Sequence, residues 1–277
     1  MIAVRPDLLV IGGLTIDRFA DGSSAPGGSV LHIARAARPR GVRVSVVTAA
    51  GPEPEARAGI AELGSVIASV AWADGTTTFV HRDSPDGRQL WRTRAGGPIS
   101  MARIDARDHR AILAAPIADE VTAIDLDRLD AAVTRGAILQ GYLRSFAAEG
   151  EVRPLPLARL APELVAVLSG FDLLVASRED LLGEAAEPSD QLTALRRVFG
   201  PRPALVVTDG VDGAWMEHEH LPISRQVDGV PSVGAGDVFA AFMLAGGWPV
   251  LAPAGFARQR AEEAMRVVAD VLEGRRA

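Results

Sequence analysis

The sequence predicts a doubly wound α/β layer sandwich, and two observations carry that prediction. Short apolar runs rich in β-formers alternate along the chain with stretches of helical periodicity. Several of those runs are apolar at successive positions, as strands covered on both faces of a parallel sheet are. Composition agrees, since 48% hydrophobic and 23% charged residues over 277 positions supply a sizeable core. Ligands of such folds sit beyond the carboxyl ends of the strands.

The elements follow in order. Asp7–Gly12 contains the run LLVI and reads as the first strand; Met1 to Asp7 has no secretory pattern, so a cytoplasmic location is the expectation. Ser29–Ala37 is the first helix, Val42–Thr48 the second strand and Pro54–Leu63 the second helix. Residues 72–94 break the alternation: TTTFVHRDSPDGRQLWRTR reads as two short strands around Ser84-Pro85-Asp86-Gly87, either a surface hairpin or a lid over a ligand. Trp72, Phe79 and Trp91 would pack that hairpin, and Arg82, Arg88, Arg92 and Arg94 could offer cations to a phosphorylated substrate. Arg110–Ala114 and Gly136–Gln140 are strands with a helix at Leu126–Val133 between them. Gly150–Pro162 is a loop, leading to a helix at Pro162–Leu168. Phe171–Ala176 and Ala204–Thr208 are strands flanking a helix at Asp190–Val198. Ala235–Ala245 is a strongly apolar helix stopped by Gly246-Gly247 and Pro249, and Pro253–Glu273 is the last helix.

Composition excludes several functions. There is no cysteine, hence no disulfide scaffold, thiolate metal site or thiol nucleophile. All 29 basic residues are arginine, so Schiff-base chemistry and a P-loop lysine are impossible. A net charge of −6 argues against a duplex nucleic-acid binder. No apolar run reaches the ~18 residues of a membrane span. Gly12-Gly13-Leu-Thr-Ile-Asp17 lacks the dinucleotide fingerprint. Of five histidines only His218 and His220 are close, and a solvated strand edge explains them without a metal.

The most informative segment is Val230-Pro-Ser-Val-Gly234-Ala235-Gly236-Asp237, which opens the apolar helix. Small residues let a ligand approach the backbone, and a helix start offers unpaired N–H groups and partial positive charge. Asp237 falls in the first turn. It suits a favourable dipole interaction of ~0.3–1 kcal/mol, or a general base facing a hydroxyl beside an anion site.

GAGDVFAAFMLAG resembles the C-terminal signature of the PfkB or ribokinase-like family of sugar and nucleoside kinases, although Pro231, Ser232 and Val233 replace the usual Asp-x-Thr lead. The resemblance implies that the amides of Gly234, Ala235 and Gly236 form an anion hole and that Asp237 is the catalytic base. Asp17, with Pro26-Gly27-Gly28-Ser29 and His32, is similar to the family's first signature, with His32 where an Asn is usual. By that resemblance Asp17, Gly27, Gly28 and His32 bind substrate hydroxyls; taken alone, Asp17 suits a turn and His32 a half-buried core position. Ser177-Arg-Glu179-Asp180 stands where the family has Asn-x-x-Glu, which organises Mg²⁺ through water. A helix cap explains the same residues. Thr208-Asp-Gly210-Val-Asp-Gly213 resembles the turn that lines nucleotide phosphates, so Ser177, Thr208, Gly210 and Gly213 become nucleotide-binding candidates.

Ala115-Pro116-Ile117-Ala118-Asp119-Glu120-Val121 and Gln140-Gly141-Tyr142-Leu143-Arg144 resemble a branch that includes myo-inositol kinases. Gln140 and Arg144 are candidate substrate contacts, Arg144 as a phosphate clamp or as a structural ion-pair partner. The resemblance implies a ribokinase-like three-layer α/β/α sandwich with a mostly parallel central sheet. The chain would be one kinase domain over 1–277, with a small β lid from about 14–26 and 72–94 through which two copies could pair as a homodimer. ATP and Mg²⁺ are the implied cofactors and a small polyhydroxy molecule the implied substrate, with neither nucleic acid nor membrane as partner. A non-catalytic sugar or nucleotide sensor on the same scaffold is the rival reading.

Overall fold

A computed structural model describes residues 6–84, 87–99, 106–127, 129, 133–217, 219–230, 232–245 and 255–275. The strands are β1 (Leu8–Gly12), β2 (Thr15–Arg18), β3 (Ser24–Gly27), β4 (Val44–Ala50), β5 (Ile67–Trp72), β6 (Thr77–Ser84), β7 (Gly87–Arg94), β8 (Ala111–Ala115), β9 (Thr134–Ile138), β10 (Arg144–Phe146), β11 (Val152–Pro154), β12 (Leu173–Ser177), β13 (Ala204–Thr208), β14 (Ala214–Met216) and β15 (Glu219–Leu221). The helices are α1 (Ser29–Ala37), α2 (Pro54–Leu63), α3 (Ala123–Asp127), α4 (Pro162–Leu168), α5 (Pro188–Phe199), α6 (Ala235–Ala245) and α7 (Phe256–Gly274).

The central sheet has nine strands in the order β15-β14-β13-β12-β9-β8-β1-β4-β5. Pairing is parallel from β5 through β13, and β14 and β15 add an antiparallel edge. Alternation along each strand divides the core in two. Leu8 and Val10 of β1 join one cluster with residues of α1, α6 and α7, whereas Leu9 and Ile11 join another with residues of α3, α4 and α5. Period-2 side chains with helices on both faces make three layers. The α6 helix is apolar nearly all round and Val238–Leu244 are buried, as befits a helix at the centre of one layer.

The chain leaves β1 toward β4 on one side and returns to β8 on the other. The topological switch point therefore lies between β1 and β8, where a crevice opens beyond the strand ends. Here a Cβ on Gly12 would stand 2.2 Å from the Ala115 carbonyl oxygen, so glycine is needed for the close approach. A second sheet, in the order β3-β2-β6-β7, stands apart from the central one.

Some boundaries differ from the sequence expectation. Trp72 ends the edge strand β5 of the central sheet and is 62% exposed, so it does not pack the β6–β7 hairpin, whereas Phe79 is buried. The sheet stops at Ile138, placing Gln140 in the following turn rather than in a strand. The α3 helix starts three residues early, at Ala123, because Asp125 accepts from Thr122 N and Oγ1 and Thr122 Oγ1 accepts from Asp125 N, a reciprocal cap. Val152–Pro154, expected as loop, pairs with Arg144–Phe146 in a two-stranded ribbon. Pro85, Asp86, His218, Pro231, Gly246, Gly247, Pro249 and Pro253 lie outside the described residues. Among the described residues no helix is long and apolar enough to cross a membrane.

Candidate functional site

The site is built from the crevice outward. Glu120, in the loop after β8, is buried and accepts from the backbone N–H of Ile117 at 2.7 Å and of Ala118 at 2.8 Å. Its carboxylate also fills the space beside Gly13, where a Cβ would meet Oε1 at 2.6 Å. Burial pushes its pKa up against those two hydrogen bonds. Glu120 thus shapes the floor of the switch point.

Beside it, β2 and β3 pair antiparallel and bring Asp17 under Gly27, where a Cβ would lie 2.0 Å from Oδ2. Gly28 caps α1 with φ +101°, and a side chain there would strike the Gly13 carbonyl oxygen at 2.3 Å. Asp17 is oriented from within the small sheet. His81 Nε2 on β6 donates to its Oδ1 at 3.0 Å, and the imidazole stacks on Phe19 with centroids 5.1 Å apart.

Across the crevice, α6 presents Asp237. Ser29 Oγ, in the first turn of α1, donates to Asp237 Oδ1 at 2.8 Å and so joins the two helix starts. Burial raises the Asp237 pKa from its ordinary 3.8 to about 6, against the pull of Ser29 and of Arg144. Gly234 has φ +79° and lies against His32, whose ring a Cβ would meet at 2.3 Å. Burial, then Arg275 and Arg35, hold the His32 pKa down to about 4, so the ring is neutral at pH 7. Its Nδ1 is buried without a hydrogen-bond partner among the described residues. His32 thus backs the glycine loop. The Ala235 N–H donates to the Ser232 carbonyl at 2.9 Å, which corrects the expectation that all three loop amides are open to an anion.

Arg144 opens β10 and reaches the middle of the crevice. Its Nη1 donates to the Ile117 carbonyl at 3.0 Å. Burial works against its charge, while Asp180, Asp237, Glu120 and Asp17 all favour it. The guanidinium thus feels the charge of four carboxylates. On the far side, Ser177 Oγ accepts from Glu179 N at 3.4 Å in a tight turn after β12. That turn exposes Glu179 and directs Asp180 inward. Asp180 Oδ2 is buried without a hydrogen-bond partner among the described residues, and burial raises its pKa against Arg144. Thr208 ends β13 near Gly236, donating from Oγ1 to the Ala176 carbonyl at 3.3 Å.

The remaining predicted positions sit at the margin. Gly210 has φ +54° and open space beside it. Gly213 has φ +97° because a side chain would strike the Leu221 carbonyl oxygen at 2.2 Å; the β14–β15 hairpin explains it. Gln140 is half-buried, and among the described residues its side chain makes no hydrogen bond. Arg92 pairs with Asp119 at 2.8 Å and Arg94 with Glu53 at 3.0 Å, so neither is an idle cation for a substrate phosphate. His220 Nε2 donates to the Asp212 carbonyl at 2.6 Å. Among the described residues no cluster of three or more His, Cys, Asp or Glu could hold a metal by itself. Sequence reasoning assigns no individual role to His81 or Ser29, whereas Glu120 stands out as one of the acidic pair right after a strand end, where substrate would sit; the polar residue inside the alternating strand at His81 is the other signal.

A parallel sheet with a switch point at β1/β8, a glycine loop opening α6, and a separate small sheet beside the crevice together form a recognisable arrangement. The chain has the ribokinase-like fold. No family model matches it, and no curated protein does. Among solved structures, a pyrophosphate-dependent kinase in the ribokinase family superposes with TM-score 0.70 at 17% identity, over 96% of this chain and 93% of that one. Arabidopsis thaliana ribokinase, complexed with ribose and ATP, gives 0.69 at 17% identity over 99% and 94%. Adenosine kinase from Schistosoma mansoni, complexed with 2-fluoroadenosine, gives 0.67 at 10% identity over 97% and 96%.

Proposed function

We propose that the protein is an ATP-dependent kinase of a small polyhydroxy molecule, a polyol, sugar or nucleoside. The observation that carries this reading is Asp237: a carboxylate with pKa about 6, fixed by Ser29 at 2.8 Å, one residue beyond the Gly234–Gly236 loop. A base titrating just below neutrality is ionised at pH 7 yet basic enough to accept a hydroxyl proton. The helix start behind it favours a transferring phosphoryl group.

In this reading Asp17, His81 and the Gly27-Gly28 turn hold acceptor hydroxyls beneath the small sheet, which acts as the lid. The reacting hydroxyl gives its proton to Asp237. Its oxygen forms a bond to the γ-phosphorus, the bond to the bridging oxygen breaks, and ADP leaves. The Gly234 and Gly236 amides face the developing charge, and Arg144 balances it from the crevice centre. Thr208, Gly210 and Ser177 lie along the nucleotide side. The unpartnered Asp180 oxygen suits a water-bridged Mg²⁺ held mainly by the nucleotide, with Glu179 outside it; the ion would supply charge neutralisation of the phosphates.

The test is ADP release from Mg·ATP across inositols, pentoses, hexoses, sugar phosphates and nucleosides, with pyrophosphate as an alternative donor and Asp237→Asn as control. Turnover with one acceptor that vanishes in Asp237→Asn supports the reading and names the substrate class. ATP binding without turnover on any acceptor would replace it with the sensor reading.

A further inference from the structure

We infer that Arg275, at the C-terminal end of α7, is a positioning residue for the anion loop. The inference rests on the proposed role of that loop. The segment 222–234 between β15 and α6 is tied to the end of α7 at two places. Arg225 pairs with Asp270 at 3.1 Å and with Glu273 at 2.6 Å. Eight residues further along this segment, Arg275 Nη1 donates to the Val233 carbonyl oxygen at 2.9 Å.

The second tie matters for geometry. In a trans peptide the C=O and the following N–H point in opposite directions. Holding the Val233 oxygen toward α7 therefore fixes the Gly234 N–H on the side away from α7. Gly234 has φ +79°, and glycine is the residue whose flanking peptides rotate most cheaply. The Ala235 N–H is already engaged by Ser232, so the loop has little redundancy. His32 lies against Gly234, leaving no room for a side chain there, and its ring also feels the Arg275 charge. A flipped Val233–Gly234 peptide would aim a carbonyl oxygen where a donor is needed, and misplacement on the scale of 1 Å can cost about 10²-fold in rate.

The experiment compares Arg275→Ala, Arg275→Lys and Arg258→Ala in the full chain. Arg258 is a control of the same kind, an exposed arginine of α7 paired with Glu219 and Glu262. Three quantities are read: kcat and the acceptor KM, the Kd for ATP and for inorganic pyrophosphate by calorimetry, and the melting temperature. Arg275→Ala is expected to lower kcat and weaken anion binding roughly tenfold, with acceptor KM within about twofold and melting temperature near that of Arg258→Ala. Arg275→Lys, which keeps a charged donor, is expected to recover most of the loss. Equal kcat and Kd in Arg275→Ala and the parent would overturn the assignment, as would losses that merely track melting temperature or recur in Arg258→Ala. A parent protein that neither turns over nor binds either anion would instead refute the anion-loop reading itself, and this inference with it.

Discussion

Replacing Asp237 with asparagine should do two opposite things, and their combination is diagnostic. Asparagine keeps the size and an acceptor for Ser29 Oγ but cannot take a proton. General-base catalysis contributes ~10²–10⁴-fold, so turnover should fall by about three orders of magnitude. Stability should rise. The Asp237 pKa is 3.8 unfolded and about 6 folded, so the folded state binds the proton more tightly. Its stabilising share is complete below pH 4 and is lost as pH rises through 6; above that, ionisation weighs against folding by about 3 kcal/mol at most. Because the residue is only half-buried, about 1–3 kcal/mol is expected. That is several degrees of melting temperature for a chain of this size. Calorimetry at pH 8 and pH 4.5 should show Asp237→Asn gaining at the higher pH and losing most of that advantage at the lower. In parallel, parent kcat/KM should drop about tenfold per pH unit below 6. A variant that retains turnover, or that is no more stable than the parent at pH 8, would refute the argument.

Three further outcomes are expected. Gly234→Ala should lose ATP binding and cost roughly 1–3 kcal/mol by urea denaturation, since it combines positive φ with a Cβ 2.3 Å from the His32 ring. His81→Ala should raise the acceptor KM about tenfold, roughly 1.4 kcal/mol, while kcat changes little, because it releases Asp17 without touching Asp237; steady-state kinetics checks the split. Glu120→Ala should lower stability by about 2–4 kcal/mol, read from urea denaturation, because the Ile117 and Ala118 N–H groups lose a buried acceptor.

The parts of the site resting on glycine are legible in the sequence. Gly27-Gly28 and Gly234-Ala-Gly236 stand out because close approach and positive φ admit few other residues, and each is followed at once by a well-patterned helix. The parallel strands are legible because burial on both faces leaves an unbroken apolar run. β5 and β15 escape that logic, being edge strands with one side toward solvent; β14 and β15 are also only three residues long. Side-chain partnerships across the fold are not legible at all. Ser29 meets Asp237 over 208 positions and His81 meets Asp17 over 64, and no local pattern encodes either pair. The tie from α7 to Val233 is hidden for the same reason.

The Ser29–Asp237 bond also constrains how the molecule comes into being. At ~5–20 residues per second, a ribosome needs about 10–40 s to travel the 208 positions separating those two side chains. Throughout that interval α1 and β1, and then each further strand as it is made, stand without α6, whose buried face they await. The nascent chain therefore carries an uncovered apolar layer and an unfinished crevice together, and both are closed by the same late helix. Capture of any ligand that needs Asp237 therefore waits until α6 has emerged.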